Sequence, residues 1–292
     1  NERQVMIILI LGSGGMIGRT MFHVLAQRSD WQVIGSVRAK AFEGTAPGPV
    51  VGGIDLTNHD HLESLFGQTR PEVVINCAGL TKHLPEGNTP IPALTMNALL
   101  PHRLAQLCEI AKARIIHVST DCVFSGDAGD YKEQDATDAA DVYGKTKALG
   151  EVTTGNAVTL RTSTIGHEHG TRFGLLEWFL AQNQCKGFRH AIFSGLPSVE
   201  FARVVRDIVI PNPSLRGLYH VGANPIDKLS LLQGIAHIYR KDISIAIDET
   251  FRINRSLNTD KFATATGYRA PDWPELIEVM YQDHILRGKS HV

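Results

Sequence analysis

Tyr143 and Lys147 stand four residues apart in DVYGKTKALGE (residues 141–151), a stretch with helical character, so their side chains share one helix face. Most such pairs are surface neighbours without consequence. Chemistry becomes available when the lysine tunes the tyrosine. A phenol with its ordinary pKa of about 10 exchanges protons poorly at neutral pH, and a nearby ammonium favours the phenolate. A tuned tyrosine can hand a proton to an oxygen while hydride adds to the attached carbon, which is carbonyl reduction. HVSTDCVFSG (residues 117–126) supplies a third group. It continues an apolar run, which puts Ser119, Thr120 and Asp121 at the carboxyl end of a strand, where the Thr120 hydroxyl can hold a substrate oxygen in line. Alone, Thr120 serves equally well as a strand-end turn; its company with Tyr143, 23 residues on, carries the reading.

A hydride source is implied by GSGGMIG (residues 12–18). Gly12, Gly15 and Gly18 recur every three residues between an apolar run and a helical pattern, with Met16 and Ile17 at the helix start. A tight turn, close backbone approach to a pyrophosphate and close helix–strand packing all favour residues without a Cβ. The next apolar run ends GSVRAK, with Ser36, Arg38 and Lys40 and no acid. An acid there would bond the ribose hydroxyls of NAD, whereas a base accommodates the 2′-phosphate of NADP. NADP(H) is therefore the expected cofactor and NAD(H) the alternative. Asp55 and Leu56, after a third strand, are placed to flank the adenine, although Asp55 suits a cap as well.

These groups need a scaffold. Short apolar runs at residues 5–11, 31–37, 72–78, 113–119 and 157–162 alternate with helical patterns at 15–28, 58–68, 91–111 and 142–154. Continuous apolar strands separated by helices predict an α/β fold, a doubly wound parallel sheet of Rossmann type, with ligands at the carboxyl ends of its strands. Residues 1–162 form the expected dinucleotide-binding domain. Residues 163–292 form a smaller substrate-binding region, with helices around Trp178, over 199–210, from 228 and from Pro274, and strands at 217–222 and 243–247. The Trp178 helix suits a packed face or a homodimer surface.

The net charge of −1 lacks the concentrated basic surface that nucleic acid or an anionic membrane requires. The first apolar run is too short to cross a bilayer and runs into glycines, so it reads as a strand and not a leader. A chain that begins at Asn1 fits a trimmed start or a tag remnant. Cys77, Cys108, Cys122 and Cys185 are scattered without metal-ligand spacing, as expected of reduced thiols in a cytoplasm. His167, Glu168 and His169 suggest a metal cluster by type, but no helix or strand register supports them; a substrate loop is the better reading and no metal is expected. Asn97, inside the long helix, is placed to prop the active-site backbone or, equally, to serve as a buried amide bonding neighbouring peptides.

The glycine loop, STDCVFSG, YGKTK, LRTS and RSLNTDKF (residues 255–262), in that order, resemble the extended short-chain dehydrogenase/reductase superfamily, and within it the dTDP-4-dehydrorhamnose reductase family. The resemblance runs over nearly the whole chain. It implies a catalytic set of Thr120, Tyr143 and Lys147, with Lys147 also holding the cofactor ribose. It adds Cys77, Ala78 and Gly79 as cofactor contacts, and a nucleotide-linked 4-keto sugar as substrate in polysaccharide precursor synthesis. Lys82, His83 and Thr164 fall where the substrate is expected, and here the sequence departs from the family: GLTKHLPEGN follows the fourth strand, and Thr164 replaces an aromatic residue. A 4,6-dehydratase is disfavoured because Cys122 stands where that chemistry needs a carboxylate. An NAD-dependent epimerase and a non-catalytic dinucleotide-binding regulatory subunit remain as alternatives.

Overall fold

The computed structural model describes residues 5–289. In chain order its elements are β1 (Met6–Leu11), α1 (Met16–Leu25), β2 (Trp31–Ser36), β3 (Val50–Val51), α2 (His59–Thr69), β4 (Val73–Asn76), α3 (Pro90–Ala93), α4 (Leu100–Ala111), β5 (Arg114–Thr120), α5 (Val142–Leu149) and β6 (Ala157–Thr162). Then come β7 (Thr164–Ile165), α6 (Leu175–Leu180), β8 (Gln184–Phe193), β9 (Leu196–Pro197), α7 (Ser198–Val204), β10 (Gly217–His220), β11 (Ile226–Asp227), α8 (Lys228–Ile238), β12 (Ser244–Asn254), α9 (Asp260–Thr266) and α10 (Trp273–Lys289). Seven strands form one sheet in the order β10-β6-β5-β4-β1-β2-β3, with every pairing parallel.

Alternation along β1 explains the two layers. Ile8 and Ile10 enter one buried cluster with Phe22, Val118, Phe201 and Leu231. Leu9 and Leu11 enter the other, with Leu62, Leu65, Leu104 and Cys108. Both faces are thus covered by helices, as continuous apolar strands require. β10 returns beside β6 in this sheet, so the later part of the chain interleaves with the earlier part. A second sheet, β11-β8-β12, stands apart from the first.

Several element boundaries differ from the sequence reading. The helix expected over 91–111 is broken by a π turn at Leu94–Leu99, where the Leu100 amide reaches back to the Thr95 carbonyl. Pro101 has no N–H to continue the ladder, which is a direct reason for the wider turn. The helix expected over 142–154 stops at Leu149. β8 falls between the helices expected around Trp178 and over 199–210, where no strand is expected, and β12 runs to Asn254, beyond the expected 247. Both owe their existence to each other, pairing in parallel from Ser244 opposite Gln184 onward.

A buried polar network locks the centre of the large sheet. Glu151, just past α5, receives Arg161 Nε and Nη2 from β6 at 2.7 Å each, and Ser119 Oγ from β5 at 2.7 Å. Arg161 also meets His220 Nε2 of β10 at 3.2 Å and lies 5.0 Å from the Phe124 ring centroid. Arg161→Met should leave the Glu151 charge buried and unpaired, costing about 3–5 kcal/mol of stability in urea unfolding, with partial recovery in Glu151→Gln/Arg161→Met. A loss below about 1 kcal/mol would show that the pair does not hold the sheet.

Candidate active site

The carboxyl end of β5 runs directly into a tight turn over Asp121–Val123, capped by Thr120, whose Oγ1 accepts from the Cys122 amide at 3.1 Å. The same hydroxyl donates to Asp121 Oδ1 at 3.3 Å. α5 begins alongside: Asp141 Oδ1 caps it by accepting from the Gly144 amide at 2.6 Å. A Cβ on Gly144 would lie 2.2 Å from the Cys122 carbonyl oxygen, so only glycine lets this helix press against the turn. That contact brings Tyr143 within electrostatic reach of Thr120 and Cys122. Burial dominates at Tyr143 and pushes its pKa above the ordinary phenol value, reinforced by Cys122, with Thr120 pulling the other way.

Lys147, one turn along, is buried, and its Nζ donates to the Val118 carbonyl at 2.8 Å. Burial lowers its pKa from 10.5 to about 8, against the opposing pull of Glu151 and Cys77. The sequence reading has Lys147 lowering the tyrosine. The direction at Tyr143 is instead upward, because the phenolate loses more from water exclusion than it regains from its surroundings.

The loop after β4 completes this edge. Asn76, at the strand end, accepts the Ala78 amide at 3.1 Å and contacts His117 Nδ1 at 3.1 Å. Asn97, from the π turn, clamps Leu80 on both sides, its Oδ1 accepting the Leu80 amide at 2.8 Å and its Nδ2 donating to the Leu80 carbonyl at 2.9 Å. It therefore props the loop as expected. Cys77 is pushed up to about 12 by burial, and Gly79 comes so near Lys147 that a Cβ there would lie 4.0 Å from Nζ.

The glycine loop fits a dinucleotide. A Cβ on Gly12, which has φ of +74°, would lie 2.9 Å from the Ala78 backbone, and one on Gly18 would lie 2.1 Å from the Gly12 carbonyl oxygen. Gly15 is the N-cap of α1 with no side-chain cap and no acid in the first turn, which leaves the amides around Met16 and Ile17 facing outward. Such a helix start suits a pyrophosphate. Ser13 Oγ ties the loop to the Ser36 carbonyl at 3.0 Å, beside exposed Arg38 and Lys40. Asp55 is held locally: its Oδ1 accepts the Thr57 amide at 2.9 Å and the Thr57 hydroxyl at 2.7 Å. Leu56 is buried, and the positive charge of Arg38 acts on Asp55.

On the substrate side, Lys82 Nζ lies 3.9 Å from Cys122 Sγ. His83 stacks on exposed Phe173, with centroids 6.5 Å apart and planes 4° from parallel. Thr164 sits in β7, paired with Leu196 of β9. His167, Glu168 and His169 diverge: His167 pairs with Glu177 at 2.6 Å and stacks on His284 at 3.7 Å, whereas Glu168 accepts the Gly174 amide at 2.8 Å. No group of three or more metal-ligating side chains occurs among the described residues. Arg161 is the buried strut described above. Lys228 gave no signal in the sequence, being a lone lysine at a helix start. Surface cavities of about 350 Å³, beside His190 and Arg252, and about 450 Å³, beside Arg203 and Gln282, lie away from Thr120.

Parallel sheet, glycine loop and the Thr120–Tyr143–Lys147 set together define an extended short-chain dehydrogenase/reductase. Residues 6–231 match the family described as the RmlD substrate binding domain, and the chain belongs to that family. It is 28% identical over 229 residues to a dTDP-4-dehydrorhamnose reductase of Aggregatibacter actinomycetemcomitans, covering 75% of this chain and 74% of that one. It is 27% identical over 144 residues to methionine adenosyltransferase 2 subunit beta of Bos taurus, covering 49% and 41%. Among solved structures, dTDP-4-dehydrorhamnose reductase of Bacillus anthracis in complex with NADP shares the fold at a TM-score of 0.79, with 18% identity over 96% of this chain and 100% of that one. No helix among the described residues is long and apolar enough to cross a membrane.

The buried Lys147 charge has a testable sign. A lysine whose folded pKa lies below its unfolded one destabilises the fold fully below about pH 8, and the penalty fades as pH rises towards 10.5. Its size is on the order of 3 kcal/mol. The unfolding free energy of the wild type minus that of Lys147→Met should therefore climb across this alkaline window; a flat difference would refute the buried ammonium.

Proposed function

We propose that the protein reduces a nucleotide-linked 4-keto sugar with NADP(H), in the making of activated sugars for surface polysaccharide. The observation that carries this reading is the convergence of Thr120, Tyr143 and Lys147 on one sheet edge, next to Gly79 and in the same fold as an uncapped, glycine-lined helix start. A bound reduced nicotinamide supplies hydride to the C4 carbonyl. Thr120 then orients the carbonyl oxygen, and Tyr143 delivers its proton to that oxygen as charge develops there. Lys147 leaves or shares the Val118 carbonyl to hold the ribose, and its positive charge opposes the upward push of burial on the tyrosine. Residues 1–162 serve mainly the cofactor and residues 163–292 mainly the substrate.

Cofactor choice in this proposal rests on Arg38, exposed beyond β2 with no acid beside it on that strand end; NAD(H) is the weaker cofactor. Four free thiols support a cytoplasmic setting. Exposed Leu94, Leu99 and Leu149, on helical segments that pack together, support a homodimer. A regulatory, non-catalytic role is the second reading, supported by the match to methionine adenosyltransferase 2 subunit beta. Retention of Thr120, Tyr143 and Lys147 beside the end of one strand favours the reductase.

NADPH oxidation with a panel of 4-keto sugar nucleotides separates the two: cofactor binding without turnover on any of them would establish the regulatory role. In Tyr143→Phe, kcat should fall about 100- to 10,000-fold while NADPH affinity stays within twofold; full turnover in this variant would remove Tyr143 from the mechanism. Arg38→Ala should weaken NADPH binding by about tenfold, roughly 1.4 kcal/mol, and NADH binding hardly at all. Equal effects on the two cofactors would end the case for NADP(H).

A further inference from the structure

We propose that Lys82, Lys228 and Arg255 form an anion-binding subsite beside Thr120, which receives a phosphate or carboxylate group of the substrate. The three come from separate parts of the chain: the loop after β4, the first residue of α8 and the segment after β12. They converge on the turn that Thr120 caps. Lys82 Nζ lies 3.9 Å from Cys122 Sγ, and Arg255 Nε donates to the Phe124 carbonyl at 2.8 Å. The half-buried Lys228 ammonium interacts with Lys82, Asp121, Cys122 and Arg255 together.

The scaffold holds these cations in place. Asp227 caps α8 by accepting the Ser230 amide at 2.9 Å, and β11 pairs Asp227 with Ile192 of β8. Around Arg255, the Asn254 amide bonds the Gly126 carbonyl at 2.7 Å and the Ser256 carbonyl accepts the Tyr131 amide at 2.9 Å. Positive charge is in surplus. The acids facing the cluster are Asp121, which burial pushes towards its neutral form, and Asp138, whose carboxylate is already engaged by the Ser125 amide and hydroxyl at 2.7 Å each. Burial likewise keeps the Cys122 thiol neutral. None of the three cations has a salt-bridge partner among the described residues. Lys228 and Arg255 are half-buried and Lys82 is exposed; a partly buried cation without a counter-charge is costly unless an anion arrives.

The subsite rests on the reductase reading for its identification with a substrate, and two anionic groups satisfy its chemistry: the diphosphate of a sugar nucleotide or a carboxylate on the sugar ring. Lys228→Met is the informative variant, because among the described residues its ammonium donates no hydrogen bond within the fold. Inorganic pyrophosphate should bind the NADP⁺-saturated wild type in calorimetry, and Lys228→Met should weaken it at least tenfold with NADP⁺ affinity unchanged. With 4-keto sugar nucleotides the variant should raise KM at least tenfold. A rise for neutral and carboxylated sugars alike identifies the diphosphate; a rise for carboxylated sugars alone identifies the ring carboxylate. Unchanged pyrophosphate binding and unchanged KM would overturn the subsite. Lys228-dependent pyrophosphate binding without turnover on any keto sugar would leave the subsite standing and remove the reductase reading.

Discussion

Glu151 accepts three hydrogen bonds in a space almost closed to water, and most of the active edge hangs on it. Its donors come from β5, which ends in Thr120, and from β6, while its own backbone continues the α5 segment that carries Tyr143 and Lys147. Through Arg161 the network reaches His220, whose ring meets the Tyr131 and Asn258 carbonyls. Burial and the neighbouring guanidinium hold that histidine down to about 3, so it stays neutral at working pH. The same carboxylate lends Lys147 part of the negative field that keeps its ammonium charged. One buried acid thus sets the strand, the helix and the charge state between them.

Close backbone contact does the remaining positioning. The sheet brings β1, β4 and β5 side by side, but useful distances arise where carbonyls meet glycines: Gly18 over Gly12, and Gly144 over Cys122. At each site a methyl group would displace backbone and not a flexible side chain. In the proposed reaction the Tyr-Gly pair is therefore two requirements in one, a proton donor and the gap that admits it.

Local signals explain what could be read beforehand. Strands β1, β2, β4, β5 and β6 are apolar runs with turn residues at their ends, and their order follows from alternation with helices. The glycine loop and the Tyr-Lys spacing are likewise short-range. β8 was hidden because it is half-exposed, carries Gly187 in its middle and is stabilised by β12, some 60 residues later. Lys228 is obscure in the sequence for a related reason: its meaning lies in tertiary convergence with Lys82 and Arg255 near Cys122, which no spacing encodes. The direction at Tyr143 was missed because water exclusion is a property of the packed site, whereas the sequence displays only the neighbouring lysine.

Burial acts on Tyr143 and Lys147 in opposite senses, raising the tyrosine and lowering the lysine. Each shift disfavours the ionised form of its group. Ribose hydroxyls of a bound cofactor that take Lys147 from the Val118 carbonyl, with phosphate charge nearby, would favour its ammonium, and that ammonium would favour the phenolate as the proton leaves Tyr143. Within the proposed reaction, the dry pocket therefore has two consequences: it strengthens every charge interaction once substrate and cofactor are bound, and it keeps Tyr143 protonated until then. The cations on the opposite wall fit the same logic, since an anion held beside Thr120 would offset their charge at the moment the carbonyl enters the site.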